Sequence, residues 1–321
     1  NLLFTMSDNE FFYISMSIIN FLSLISGIIG CILIFYILYH DKTIRNFSRL
    51  LFLQQNFFDS IIILNSGVQQ VIWAITTKLI LVNDLSICTA YLIIDSTAIY
   101  GSTWTLCLMS IERFIVVSWP TNHIFRSMKW WHNFILFIIT LTISLLAIIL
   151  SITINSISMP ICYYTPNTLG SLCILMYSAF VPCLILIVSN SKISYVLWKS
   201  SVKNNNRIAI VEKTMNKPKI GSNGQSMSKS AIKVVIITSI YFFICCVPYS
   251  FIKIAFNFKI INVDLETKQF FPLIAKFFIV SNSSTRFYFY ILGSLRFRKI
   301  VLSLFKKIVL PSNSIEDSRI N

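Results

Sequence analysis

The chain has 321 residues, of which 55% are hydrophobic, 14% aromatic and only 12% charged, and its mean hydropathy is +0.74. A soluble domain of this size carries about 25% charged residues, so the composition is that of a membrane protein. The formal net charge of +15 is scattered in short clusters between apolar blocks, which argues against nucleic acid as a partner.

Uncharged runs occur near Phe11–Tyr39, Ser60–Thr77, Ser96–Ile111, Asn133–Thr165, Pro166–Ser191 and Val234–Ile252. Most exceed the ~18–20 residues that a helix needs to cross hydrocarbon. The third is a full span only if Asp95 is counted near its end. A seventh candidate, Phe270–Leu292, is interrupted by Lys276 and Arg286. With flanking residues included, spans are expected at about 11–39, 48–77, 85–118, 130–154, 169–197, 231–258 and 268–292. A surface helix at about 294–309 completes a single membrane domain over 1–310, and 311–321 forms a tail.

Lys42, Arg45 and Arg49 fall between spans one and two, and Arg126 and Lys129 between three and four. Lys199, Lys203, Arg207, Lys213, Lys217 and Lys219 fall between five and six, and Arg296, Arg298, Lys299, Lys306 and Lys307 follow span seven. The alternate connections carry the acids Asp8, Glu10, Asp84, Asp264 and Glu266. This positive-inside pattern predicts an outside amino terminus and a cytoplasmic carboxyl terminus, which requires an odd number of crossings and favours seven over six. The first residue is Asn rather than Met, which leaves the true amino terminus open; no cleavable signal is evident, and span one can itself start insertion. The polar, basic stretch Ser200–Lys229, with Asn204-Asn-Asn and Gly221-Ser-Asn-Gly, reads as a flexible cytoplasmic loop.

Six of the eight cysteines (Cys31, Cys107, Cys173, Cys183, Cys245 and Cys246) lie in apolar spans and read as small buried hydrophobes. Cys88 and Cys162 lie at outside ends and are the natural disulfide pair, with Cys173 as the competing partner for Cys88. After Phe297, the residues Ile300, Val301, Leu304, Phe305 and Ile308 continue an apolar stripe with basic residues between them. Such a helix lies flat on an anionic inner leaflet. An acid–base pair, Glu112-Arg113, closes span three, where burial of either charge alone is expensive.

On these residues the chain resembles the rhodopsin-like G-protein-coupled receptors over Phe11–Leu310. In that family a cysteine opens the third span, an acid-Arg-Tyr triplet ends it 25 residues later, and a proline follows the arginine by seven; Cys88, Arg113 and Pro120 have this spacing, with Phe114 for the tyrosine. Asp59 matches the buried aspartate of span two, and Pro182 and Pro248 the bending prolines of spans five and six. Phe242 is retained six residues before Pro248, and Tyr290 precedes Phe297 by seven. The resemblance implies an all-α seven-helix bundle with a short amphipathic eighth helix, sited in the plasma membrane. It also implies a switch built on Glu112, Arg113, Pro120 and Tyr290, a heterotrimeric G protein as partner, and activation bends at Pro182, Phe242 and Pro248.

The chain departs from that family in several places. Cys31 stands for the span-one asparagine, Cys246 for the span-six tryptophan, Asn190 for the inner tyrosine of span five, and Ser228-Lys229 for an acid at the foot of span six. The Asn-Pro-x-x-Tyr of span seven reads Arg286-Phe287-Tyr288-Phe289-Tyr290. The family's sodium-site positions match Asp59, Ser102, Asn282 and Ser283, and Arg286 stands at their edge. A guanidinium there is expected to pair with Asp59 in place of the cation, with bidentate geometry available, and to make the receptor sodium-insensitive. These losses leave a non-signalling decoy open.

Asp95, Tyr249 and Lys276 are the ligand-pocket candidates, with Trp73 and Phe256 as further walls. Asp95 sits where amine receptors hold an ammonium, but Lys276 can reach it. The aromatic content and Asn190 look more like invertebrate neuropeptide receptors, so a basic or amidated extracellular peptide is the leading expectation and a biogenic amine the alternative. Val280 stands where an opsin needs its lysine. A transporter or channel is the alternative of another class, motivated by Asp59, Asp95, Lys276 and Arg286, though no internal repeat is visible. With three histidines (His40, His123 and His132), no metal-spaced cluster and no catalytic triad or phosphate loop, neither enzyme activity nor a metal or cofactor is expected.

Overall fold

The computed structural model describes residues 8–40, 46–76, 85–119, 130–154, 156–158, 163–165, 168–214, 236–250, 265–293 and 295–309. Helix α1 (Asp8–His40) is followed by α2 (Asn46–Ile62), a π-turn (Ile63–Gly67) and α3 (Val68–Thr76), which together form span two. Then come α4 (Leu85–Ser118) and α5 (Trp130–Ile154). A small antiparallel hairpin follows, with β1 (Ser156–Ser158) paired to β2 (Tyr163–Thr165) in the register Ile157–Tyr164. Span five is α6 (Thr168–Leu175), a second π-turn (Met176–Phe180) and α7 (Val181–Thr214). Helices α8 (Ile236–Ser250), α9 (Leu265–Gly293) and α10 (Leu295–Val309) complete the chain.

Many large apolar side chains face outward, and the interior holds charged groups beside its apolar core. Ile18, Leu22, Ile25, Ile29 and Ile32 of α1 are exposed, whereas Asp59, Asp95, Glu112 and Arg286 are buried. Water would reverse that distribution; hydrocarbon rewards it. Helix α4 is the central element, packed on α2, α5 and α7, while α1 packs along α9. Two glycines permit the closest approaches. A Cβ on Gly101 of α4 would lie 2.5 Å from the Phe58 ring, and one on Gly30 of α1 would lie 2.8 Å from Phe287 Cβ. The bulky residue in the place of the family's span-seven proline is thus housed by a residue without a side chain.

Both π-turns have a local setting. Pro182 has no N–H to return to the preceding turn, and the wider coil at Met176–Phe180 ends just before it. The turn in span two ends on Gly67 and is buried at Ile63, Ser66 and Gly67. Helix α7 continues to Thr214, where the sequence reading expects a flexible loop from Ser200. The reason is local: Ser200 to Thr214 contains no glycine or proline, and those residues begin only at Pro218 and Gly221. Helix α10 buries Phe297 and Val301 against Ile34, Ile37, Leu38, Phe287 and Tyr290, and turns Arg298, Lys299 and Leu302 outward.

Candidate functional site

Three polar layers are strung along α4, at Asp95, Ser102 and Glu112. From first to last they span about 25 Å at 1.5 Å per residue.

The middle layer holds the buried ion pair. Arg286 Nη1 lies 2.8 Å from Asp59 Oδ1, 2.6 Å from Oδ2 and 3.2 Å from Ser102 Oγ. Ser102 donates to Asp59 Oδ1 at 2.9 Å and accepts from Gln55 Nε2 at 2.6 Å. Gln55 Nε2 also approaches both carboxylate oxygens, at 3.3 and 3.4 Å. The geometry differs from a two-nitrogen fork, because one guanidinium nitrogen bridges both oxygens while Gln55 and Ser102 take the remaining acceptor capacity. Asn282 and Ser283 are buried one turn away on α9. Three side chains, one each from spans two, three and seven, therefore share the Asp59 carboxylate, and each charge meets its opposite directly. Charge, hydrogen bonding and packing here act together, which is the condition for a buried pair to be tolerated.

The layer toward Cys88 is looser. Asp95 accepts from Ser66 Oγ and from Asn65 Nδ2, the latter at 3.4 Å, and its other oxygen lies 3.7 Å from Lys276 Nζ. Lys276 donates to the Tyr91 hydroxyl and sits 4.4 Å above that ring. Asn65 and Ser66 belong to the π-turn of span two, which adds a residue to the coil and so changes the face they present. Tyr249 lies within electrostatic reach of both Asp95 and Lys276. Trp73, by its side chain, and Phe256 fall outside the described residues.

At the far end of α4, Glu112 is held twice. Its Oε2 lies 3.2 Å from Arg113 Nε, and its Oε1 accepts from Ser48 Oγ at 2.8 Å. Tyr290 is buried, edge-on to Phe52 at 5.2 Å and beside Phe297 at 6.0 Å. Pro120 and Ser228-Lys229 lie outside the described residues. Phe242 and Cys246 are in the apolar core, and Pro182 receives a weak 3.8 Å contact from Cys107 Sγ on its carbonyl. Cys88 is buried at the start of α4, and Cys173 is a free thiol; Cys162 falls outside the described residues.

Gln55, Ser48, Ser66 and Tyr91 were not singled out in the sequence. Gln55 is four residues before Asp59 and hence on its face, a signal that was available. Ser48 and Tyr91 carry no comparable signal. Asn56 was also missed: its Nδ2 donates to the Cys31 carbonyl at 3.1 Å and ties span two to span one.

Residues 30–285 match the family of seven-transmembrane receptors of the rhodopsin family. The chain belongs to that family. The receptor is therefore a multi-pass membrane protein of a signalling class, not an enzyme. Its fold is similar to that of squid rhodopsin, with a TM-score of 0.71 at 18% identity over 98% of this chain and 91% of the other. Among curated proteins no sequence match was found.

Family likeness implies a sodium ion near Asp59. The residues present do not fit one, because the Arg286 guanidinium stands within hydrogen-bond distance of both carboxylate oxygens and of Ser102. A second cation would meet the first.

Proposed function

We propose that the receptor binds an extracellular peptide near Asp95, Tyr249 and Lys276 and signals through a heterotrimeric G protein at the Arg113 end. The amino terminus faces outside, the carboxyl terminus faces the cytoplasm, and α10 lies on the anionic inner leaflet. The observation that carries signalling is the double hold on Glu112, by Arg113 and by Ser48 of span two. Arg113 neighbours Glu112 on α4, so the pair is held in place by Ser48 of α2; when α2 and α4 move apart that hold is lost, the Glu112 side chain can turn away, and a freed arginine is a docking point for a transducer. Phe242, Pro182 and Pro248 are the bends about which spans five and six move.

A peptide is favoured over an amine because Asp95 already has donors from Asn65 and Ser66 and a counter-charge in Lys276. An added ammonium would have to displace one of them. A Cys88–Cys162 bridge is supported by the other six cysteines all being free thiols. The Asp59–Arg286 pair makes the receptor indifferent to sodium.

The test is expression of the full chain with a promiscuous G-protein readout, screened against peptides and biogenic amines. Activation by a peptide, lost in Arg113→Ala at unchanged surface level, is the expected result. Activation by an amine that depends on Asp95 would reverse the choice of ligand. Peptide binding without nucleotide exchange would identify a decoy, a reading favoured by the Asp59–Arg286 pair, which ties span two to span seven.

A further inference from the structure

Asp95 and Lys276 are unequally exposed. Their side chains are 6% and 26% exposed, so the cation is the charge that an incoming molecule encounters. Their bonding is unequal too. Oδ1 of Asp95 is bonded by Ser66 and Asn65, and Oδ2 faces Lys276, so each oxygen already has a donor or a counter-charge. An ammonium has three N–H donors. One of those of Lys276 goes to the Tyr91 hydroxyl, and the ring of Tyr91 lies beneath the nitrogen. The 3.7 Å approach to Asp95 is well beyond the ~2.7–2.9 Å of a charge-assisted hydrogen bond, which leaves donor capacity unspent among the described residues.

An ammonium with a donor to spare, more exposed than the carboxylate that neutralises it, recognises an anion. We propose that Lys276 is the ligand-contacting charge of this pocket and receives a carboxylate. Asp95 is then the fixed counter-charge that holds the ammonium in position, together with the Tyr91 ring and hydroxyl. The inference rests on the reading of this layer as a ligand pocket, and it reverses the ligand charge that the sequence suggests. Tyr249, in reach of both charges, is the position from which the local field can be read.

The experiment uses the full chain in lipid nanodiscs and needs no G protein, so it fails or succeeds independently of the signalling proposal. A thiol is placed at Tyr249→Cys and modified with two methanethiosulfonates of similar size, one ending in a sulfonate and one in a trimethylammonium. Rates are normalised to a free thiol, and the native cysteines supply the background. The sulfonate is expected to react faster, and Lys276→Gln should lower the anion-to-cation rate ratio about fivefold, as one charge about 8 Å away in water-like surroundings does. Lys276→Arg should retain it. A ratio that favours the cation, or one that Lys276→Gln leaves unchanged, overturns the proposal. Lys276→Cys must itself be modified; a thiol there that neither reagent reaches would show that Lys276 does not face the pocket water, and would also overturn it. A second arm tests the source of the carboxylate by thermal stabilisation with three pools of short peptides. Stabilisation by neutral peptides with free carboxyl termini, lost in Lys276→Gln, identifies the terminal carboxylate. Stabilisation by amidated peptides bearing one glutamate identifies a side chain, and stabilisation by neutral amidated peptides alone overturns the proposal.

Discussion

The receptor carries two acid–base pairs inside its bundle, and their surroundings make them different devices. Asp59 and Arg286 are both almost wholly buried, bridged at 2.6–2.8 Å and shared with Gln55 and Ser102. Asp95 and Lys276 stand 3.7 Å apart, with the lysine partly open. The first pair is closed around its carboxylate, which Arg286, Gln55 and Ser102 share, and it joins spans two, three and seven. The second has spare donors and can take a visitor. Burial alone does not decide the function of an intramembrane charge; the number of partners it has already satisfied does.

The largest expected effect lies in the sealed pair. Arg286→Met leaves a buried carboxylate alone and should cost about 3–5 kcal/mol of stability, seen as lost surface expression and a lower unfolding temperature of the purified receptor. Asp59→Asn combined with Arg286→Met should recover most of that loss. Equal expression of the singles, the double and the wild type would show that the pair does not carry stability. Next is Gly101→Ala, which drives a methyl group into the Phe58 ring beside Ser102 and should cost about 1–3 kcal/mol, relieved by Phe58→Leu. A neutral Gly101→Ala would mean that the close approach of α4 to α2 is not what seals the middle layer.

Lys276→Gln should cost only about 1 kcal/mol, since its pair is loose and the lysine partly open, and the contrast with Arg286→Met is the sharpest form of the comparison. Comparable losses in the two variants would erase the distinction. Ser48→Ala removes one of the two holds on Glu112 and should raise basal nucleotide exchange about fivefold, the equivalent of one hydrogen bond of about 1 kcal/mol. Unchanged basal exchange would assign the hold to Arg113 alone. The smallest effect is a null: replacing sodium by potassium should leave the unfolding temperature of the wild-type receptor where it is, whereas Arg286→Asn should acquire a sodium dependence.

The fold class was legible because hydrocarbon imposes a one-dimensional rule, an apolar stretch of fixed length, and residues such as Ser15–His40 and Leu172–Val196 obey it without reference to anything distant. The far end of span five was less legible. A basic, asparagine-bearing segment looks like a loop by composition, yet nothing in Ser200–Thr214 stops a helix. At the middle layer, counting back from Tyr290 puts Arg286 on the turn that addresses Asp59. No count reveals that Gln55 and Ser102 share the carboxylate and leave room for only one guanidinium nitrogen. Ser66 was hidden for a different reason: it sits in a π-turn, so regular helical periodicity assigns it the wrong face. Ser48 was hidden because a hydroxyl at a helix start is ordinary, and only the approach of α4 gives it a carboxylate to hold.

That π-turn has a consequence for any comparison of this receptor with its relatives. Ile63–Gly67 inserts one residue into the coil of span two, so the side chains of Val68–Ile72 are turned by about 100° relative to an uninterrupted helix counted from Asp59. A position-by-position alignment that is correct at Asp59 is therefore out of phase by one residue over Val68–Ile72 against any relative whose span two lacks the bulge. Residues that such an alignment assigns to the lipid then belong to the bundle, and the reverse.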